Sequence, residues 1–60
     1  MNLQKRILVV DDEPDLRNLT IHLLERAGYS VVGAPSGEEG WRLAQELRPD
    51  LVLLDIMLPG

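Results

Sequence analysis

The sequence predicts an α/β fold of order strand–helix–strand–helix–strand, its strands parallel in one sheet. Three observations lead there. Two short unbroken apolar runs, Ile7–Val10 and Leu51–Leu54, read as strands buried on both faces, the habit of parallel sheets. The stretches between strands carry apolar residues at helical spacing. Strand starts near residues 6, 30 and 51 leave room for one crossover helix each with short connections. Such crossovers are right-handed in nearly all cases.

The first strand, residues 5–10, is stopped by Asp11, Asp12 and Glu13, and Pro14 suits the first turn of a helix, where its missing N–H leaves no bond unmade. Leu16, Leu19, Thr20, Leu23, Leu24 and Ala27 then form one stripe, with Arg17, Asn18, His22, Glu25 and Arg26 mostly on the other side. Gly28 supplies the left-handed residue that ends many helices. Tyr29–Ala34, around Val31 and Val32, is the second strand, broken by Pro35. Ser36-Gly37-Glu38-Glu39 matches a capping box, the serine accepting a backbone N–H while Glu39 reaches back. Trp41, Ala44 and Leu47 mark the buried face of the second helix, and Gly40 allows close approach to the sheet. That helix ends before Pro49, because the residue preceding proline is pushed out of helical geometry. Leu51–Leu54 is the third buried strand, followed by Asp55 and a loop over residues 56–60.

Composition bounds the function. Sixty residues allow one small domain, marginal without a staple or partner, with 12 leucines carrying the core beside a single Trp and a single Tyr. There is no cysteine, hence neither disulfide nor thiolate metal site, which fits a reducing compartment. A net charge of -4 argues against nucleic acid as a direct ligand. Apolar runs of four residues are far short of a membrane span, and no signal-peptide pattern opens the chain. The expectation is a soluble cytoplasmic protein starting at its mature end.

In a parallel sheet all carboxyl ends share one edge, where open α/β sheets bind their ligands. Asp11 and Asp12 follow the first strand and Asp55 the third. If those strands are neighbours, three carboxylates converge, and their mutual repulsion calls for a cation. Oxygen donors without His or Cys suit a hard ion such as Mg²⁺, which keeps waters and phosphate oxygens in its shell.

Val9-Val10-Asp11-Asp12-Glu13-Pro14, Ala27-Gly28-Tyr29, Ser36-Gly37-Glu38-Glu39-Gly40 and Pro49 through Gly60 together resemble the first half of a response-regulator receiver domain, of flavodoxin-like fold and parallel strand order 2-1-3. The likeness covers nearly the whole chain from Lys5, with two motifs in the right order and at the right separation. It implies that Asp55 is the phosphoacceptor, taking a phosphoryl group from a phosphohistidine of a sensor histidine kinase in a two-component relay. It implies that Asp12 binds Mg²⁺ directly, that Asp11 acts largely through bound water, and that the backbone carbonyl of Met57 completes the shell with Asp55. Pro59 and Gly60 match the following turn. The family catalyses its own Asp phosphorylation and dephosphorylation, and positive charge between two anions is what that chemistry needs.

The family completes its site with a Ser or Thr after a fourth strand and a Lys after a fifth. The sixty residues hold neither, and Lys5, their single lysine, stands at the amino end of the first strand. The expectation is a half-domain whose phosphorylation is impaired. Its third strand would be an open apolar edge, a template for pairing. The expectation is a homodimer or higher assembly, such as a six-stranded sheet with antiparallel third strands at a two-fold axis, the other outcome being a partly unfolded isolated chain; the alternative function is a non-catalytic fragment that folds by homodimerisation.

Taken alone, Asp11 and Asp12 would cap the first helix and Asp55 would be a turn residue; together they favour the site. Glu13 and Asp15 read as first-turn charges, His22 as solvated and Ser36 as a cap without a nucleophile's partners. Gly28, Gly33, Gly37 and Gly40 read as caps and turns rather than a dinucleotide fingerprint or P-loop.

Overall fold

The computed structural model describes residues 4–54, in which β1 (Arg6–Val10), α1 (Pro14–Arg26), β2 (Ser30–Ala34), α2 (Gly37–Leu47) and β3 (Leu51–Leu54) follow one another. The sheet is parallel, in the order β2-β1-β3. Val10 stands opposite Ala34 on one side and Leu54 on the other. This is the expected βαβαβ half of the doubly wound fold.

β1 is central, and Ile7 to Val10 are all buried. Alternation splits their side chains between the two faces of the sheet. Leu8, Val10 and Ala34 form the core beneath Leu43 and Ala44 of α2. Val9 and its partner Gly33 lie on the opposite face, where Gly33 meets Ile21 and Arg17 of α1. Leu8 is fully buried, a burial that stabilises by about 1.5–3 kcal/mol.

The helix ends follow the sequence closely. Gly28 takes φ 102, its N–H donates to the carbonyl of Glu25, and that of Tyr29 donates to Leu24, the paired bonds of a Schellman cap. Ser36 Oγ accepts from the N–H of Glu39 at 3.3 Å. The other half of the capping box differs: both carboxylate oxygens of Glu39 accept from Arg42 instead. Arg48, before Pro49, caps α2 in the left-handed region at φ 49.

Three expectations are corrected. On α1 the half-buried face is Arg17, Thr20, Ile21 and Leu24, while Leu16, Leu19 and Leu23 are exposed. The face is set by the gap that Gly33 leaves, not by the count of leucines. On α2 the inward stripe is Gly40, Leu43, Ala44 and Leu47; Trp41 lies one position round the helix and is 70% exposed. β3 is the open sheet edge expected of the half-domain, its residues 36–61% exposed. Gly33 serves no turn but sits inside β2, where an added Cβ would stand 2.6 Å from Ile21 Cδ1.

Candidate functional site

The carboxyl edge of the sheet is where β1 hands over to α1. Asp11 continues the β1–β2 ladder by one bond, its N–H donating to the carbonyl of Ala34 at 3.1 Å. Its side chain turns back to accept the N–H of Glu13 on Oδ1 at 2.9 Å, an Asx turn that takes the chain sharply out of the strand. Glu13 is the N-cap of α1, its own carboxylate accepting from the N–H of Asp15. The aspartates therefore do not cap the helix; Glu13 does, and Asp11 holds Glu13.

Asp11 is 3% exposed, the one buried charged residue among the described residues. Its Oδ2 accepts from no described group. Asp12, next along, is exposed and takes no part in the bonds that hold the corner. The corner thus presents one anchored and one free carboxylate, hard oxygen donors of the kind that Mg²⁺ takes. The donor set fits that ion. Among the described residues no three metal-ligating side chains cluster. Asp55 and Met57, the other expected site residues, lie outside the described residues, as do Pro59 and Gly60.

Two features escaped the sequence reading. Arg17, assigned to the polar side of α1, reaches back across the corner and donates from NH1 to the backbone carbonyl of Asp11 at 2.8 Å. At the opposite edge, Asp50 grips Arg6 twice. Its N–H donates to the Arg6 carbonyl at 2.8 Å, and its Oδ2 accepts the Arg6 N–H at 2.8 Å. Arg6 NH1 also donates to the carbonyl of Leu47 at the end of α2. The first could be suspected only from Arg17 standing six residues after Asp11, one helical turn and a corner away.

No helix among the described residues is long and apolar enough to cross a membrane. An apolar groove of about 360 Å³ opens beside α2, with Trp41 on one wall and Val52 and Leu54 on the other.

Comparison with known proteins bears on this edge. A sequence profile for the response regulator receiver domain matches residues 7–60. The alkaline phosphatase synthesis transcriptional regulatory protein PhoP of Bacillus subtilis is 49% identical over 57 residues, which are 95% of this chain and 24% of that protein. Protein PilH of Pseudomonas aeruginosa is 44% identical over 55 residues, 92% of this chain and 46% of its own. The Vibrio cholerae chemotaxis protein CheY4 superposes with a TM-score of 0.87 at 36% identity, over 93% of this chain and 47% of that one. The receiver domain of the hybrid histidine kinase CckA gives 0.81 at 40% identity, over 92% and 53%. The chain spans about half of these structures and less than half of these curated relatives.

Proposed function

The chain belongs to the response regulator receiver domain family, and from that premise we propose that Asp55 accepts a phosphoryl group from a phosphohistidine of a sensor histidine kinase. A carboxylate oxygen of Asp55 attacks phosphorus. The O–P bond forms as the N–P bond breaks, and the electron pair of the broken bond returns to the imidazole nitrogen. Asp12 would hold Mg²⁺ directly, Asp11 largely through water, with Asp55 and the Met57 carbonyl completing the protein's share. Mg²⁺, when bound, supplies the positive charge that lets an anionic nucleophile meet an anionic phosphoryl group. The setting is a cytoplasmic two-component relay in which this segment contacts protein rather than nucleic acid or membrane.

The observation that carries this reading is the register. Val10 and Leu54 stand side by side in parallel strands, so the acidic doublet begins one residue past one tip and Asp55 one residue past the other. Treatment with a small acyl phosphate and Mg²⁺, followed by intact-mass measurement, tests it. The expected result is a gain of one phosphoryl group that Asp55→Asn abolishes. Equal masses before and after, in a parent protein that contains this segment, would reject the phosphoacceptor role.

A polypeptide of these sixty residues alone is proposed to phosphorylate poorly, for the family's hydroxyl and lysine have no counterpart in it and Lys5 stands at the other edge. A second reading, favoured by the exposed β3 edge, is that this polypeptide pairs with a second copy through antiparallel β3 strands without catalysis. Light scattering on a size-exclusion column separates the cases, and a compact monomer rejects pairing.

A further inference from the structure

Asp11 is bound at three points, two through its N–H and side chain. Its N–H belongs to the β1–β2 ladder and its Oδ1 to the turn into α1. The third comes from α1 itself, where Arg17 NH1 donates to the Asp11 carbonyl at 2.8 Å in a part-buried setting. A charged donor makes this a strong hydrogen bond of its kind. The aliphatic stem of Arg17 runs over Gly33, where a Cβ would lie 3.2 Å from Arg17 Cδ and 3.4 Å from its Cγ. A side chain there would make the stem give by a few tenths of an ångström, so the bare position in β2 eases the reach of Arg17. The other arginines in mid-sheet or mid-helix contacts are engaged elsewhere: Arg6 with Leu47 and Asp50, Arg42 with Glu39 and Glu46.

What that bond holds is a peptide plane. The carbonyl of Asp11 is coplanar with the N and Cα of Asp12, since the unit between them is rigid. Fixing the Asp11 oxygen fixes the main chain up to the Asp12 Cα, and the Glu13 N–H held on Asp11 Oδ1 limits the rotation beyond it; the two together set the direction in which the Asp12 side chain leaves the main chain. We propose that Arg17 is a positioning residue for the acidic corner, aiming the Asp12 carboxylate through the Asp11 carbonyl. The inference rests on the reading above that this corner holds Mg²⁺.

The test compares the wild type with R17M, which keeps an apolar stem but no donor, and R17K, which keeps a charged donor. I21V serves as the control, for Ile21 shares the Gly33 gap but does not touch the corner. Mg²⁺ is titrated against the amide resonances of Asp11, Asp12 and Glu13. Losing one charge-assisted bond weakens Mg²⁺ affinity about tenfold in R17M, whereas R17K and I21V stay close to the wild type. Amide hydrogen exchange gives a readout without metal: Asp11 and Glu13 exchange several-fold faster in R17M, while the Leu8 and Val9 amides keep their protection. Should R17M fail to fold, R17Q, which keeps a neutral donor on a shorter reach, is compared in the same way and is expected to fall between R17M and the wild type. Unchanged exchange at Asp11 and Glu13 overturns the proposal, as does equal weakening in R17M and I21V, or in R17M and R17K. A wild type that binds no Mg²⁺ overturns the proposed function instead, and the exchange comparison still decides whether Arg17 holds the corner.

Discussion

Gly40→Ala tests how tightly α2 is laid on the sheet and, through it, how the strand tip before Asp11 is held. A methyl group at residue 40 would stand 2.5 Å from Val10 Cγ2 and 3.3 Å from Val10 Cγ1. Carbon atoms pack at about 3.5–4.0 Å, so the shorter contact is too close by more than 1 Å. Val10 cannot swing aside. It is β-branched, 93% of it is removed from solvent on the central strand, and it has a neighbour on each side. The helix must lift, at the cost of an overpacked core, about 1–3 kcal/mol. Replacing glycine inside a helix returns about 0.8–1 kcal/mol of propensity. The net expectation is a loss of up to about 2 kcal/mol. Gly37→Ala is the control, for nothing lies within 4 Å of a Cβ there, and it should be neutral or slightly stabilising. Urea unfolding followed by circular dichroism reads both as shifts in midpoint at constant slope. In a domain this small each kcal/mol also moves Tm by about 4–8 °C. Truncating Val10 in the Gly40→Ala background should recover part of the loss, a coupling of about 1 kcal/mol between the two positions. A Gly40→Ala midpoint at or above that of Gly37→Ala would refute the packing argument.

Two further outcomes are expected. Asp50→Ala removes the acceptor of the Arg6 N–H at the amino edge, and a loss of about 1 kcal/mol should appear in the same urea assay; Asp50→Asn, which keeps a carbonyl oxygen, should lose less, and equal losses would count against the bond. On α2, the hydrogen bond and then the charge of Arg42 hold the Glu39 carboxyl below the usual glutamate range. A depressed folded-state pKa gives stability that is present above the unfolded value, about 4.3, and lost as pH falls through the folded one. The Tm difference between wild type and Arg42→Met should therefore be largest near neutral pH, close in acid and shrink with added salt, since both side chains are exposed. A difference that widened in acid would contradict the assignment.

Strand and helix identity, their order and both glycine-marked features, the cap at Gly28 and the contact at Gly40, were legible because each depends on local pattern. Which face of a helix turns inward was less so. Counting leucines on α1 selects Leu16, Leu19 and Leu23, yet the face that packs carries Arg17 and Thr20 beside Ile21 and Leu24. A long arginine stem can cover a sheet as well as an aliphatic residue can, with its charge delivered elsewhere. Trp41 misled for a related reason. Its size suggests a core, but at residue 40 the helix needs no side chain at all against Val10, and the tryptophan is carried round to the groove wall. That Asp11 and Asp12 follow the tip of β1 was legible; that one would be buried and the other exposed depends on the turn between them, which spacing does not encode.

The two edges of the sheet are linked by register. Asp50 binds Arg6 through both its N–H and its carboxylate, a two-point match that a neighbouring residue could not make with the same partners. It fixes Ile7 opposite Leu51, and every later pair in the ladder follows, ending with Val10 opposite Leu54. A slip of one residue would reverse the faces of β3 and leave Leu54 without Val10 beside it. The strand is four residues long and apolar throughout, so its side chains offer little to choose one register over the next. The choice is made by a carboxylate at the amino edge, remote from any chemistry, and its consequence is felt at the carboxyl edge. There the residue after each tip is an aspartate. The proposed phosphoacceptor and the acidic doublet can meet only if both strands end in step, and on this account the pairing of Arg6 with Asp50 is what keeps them so.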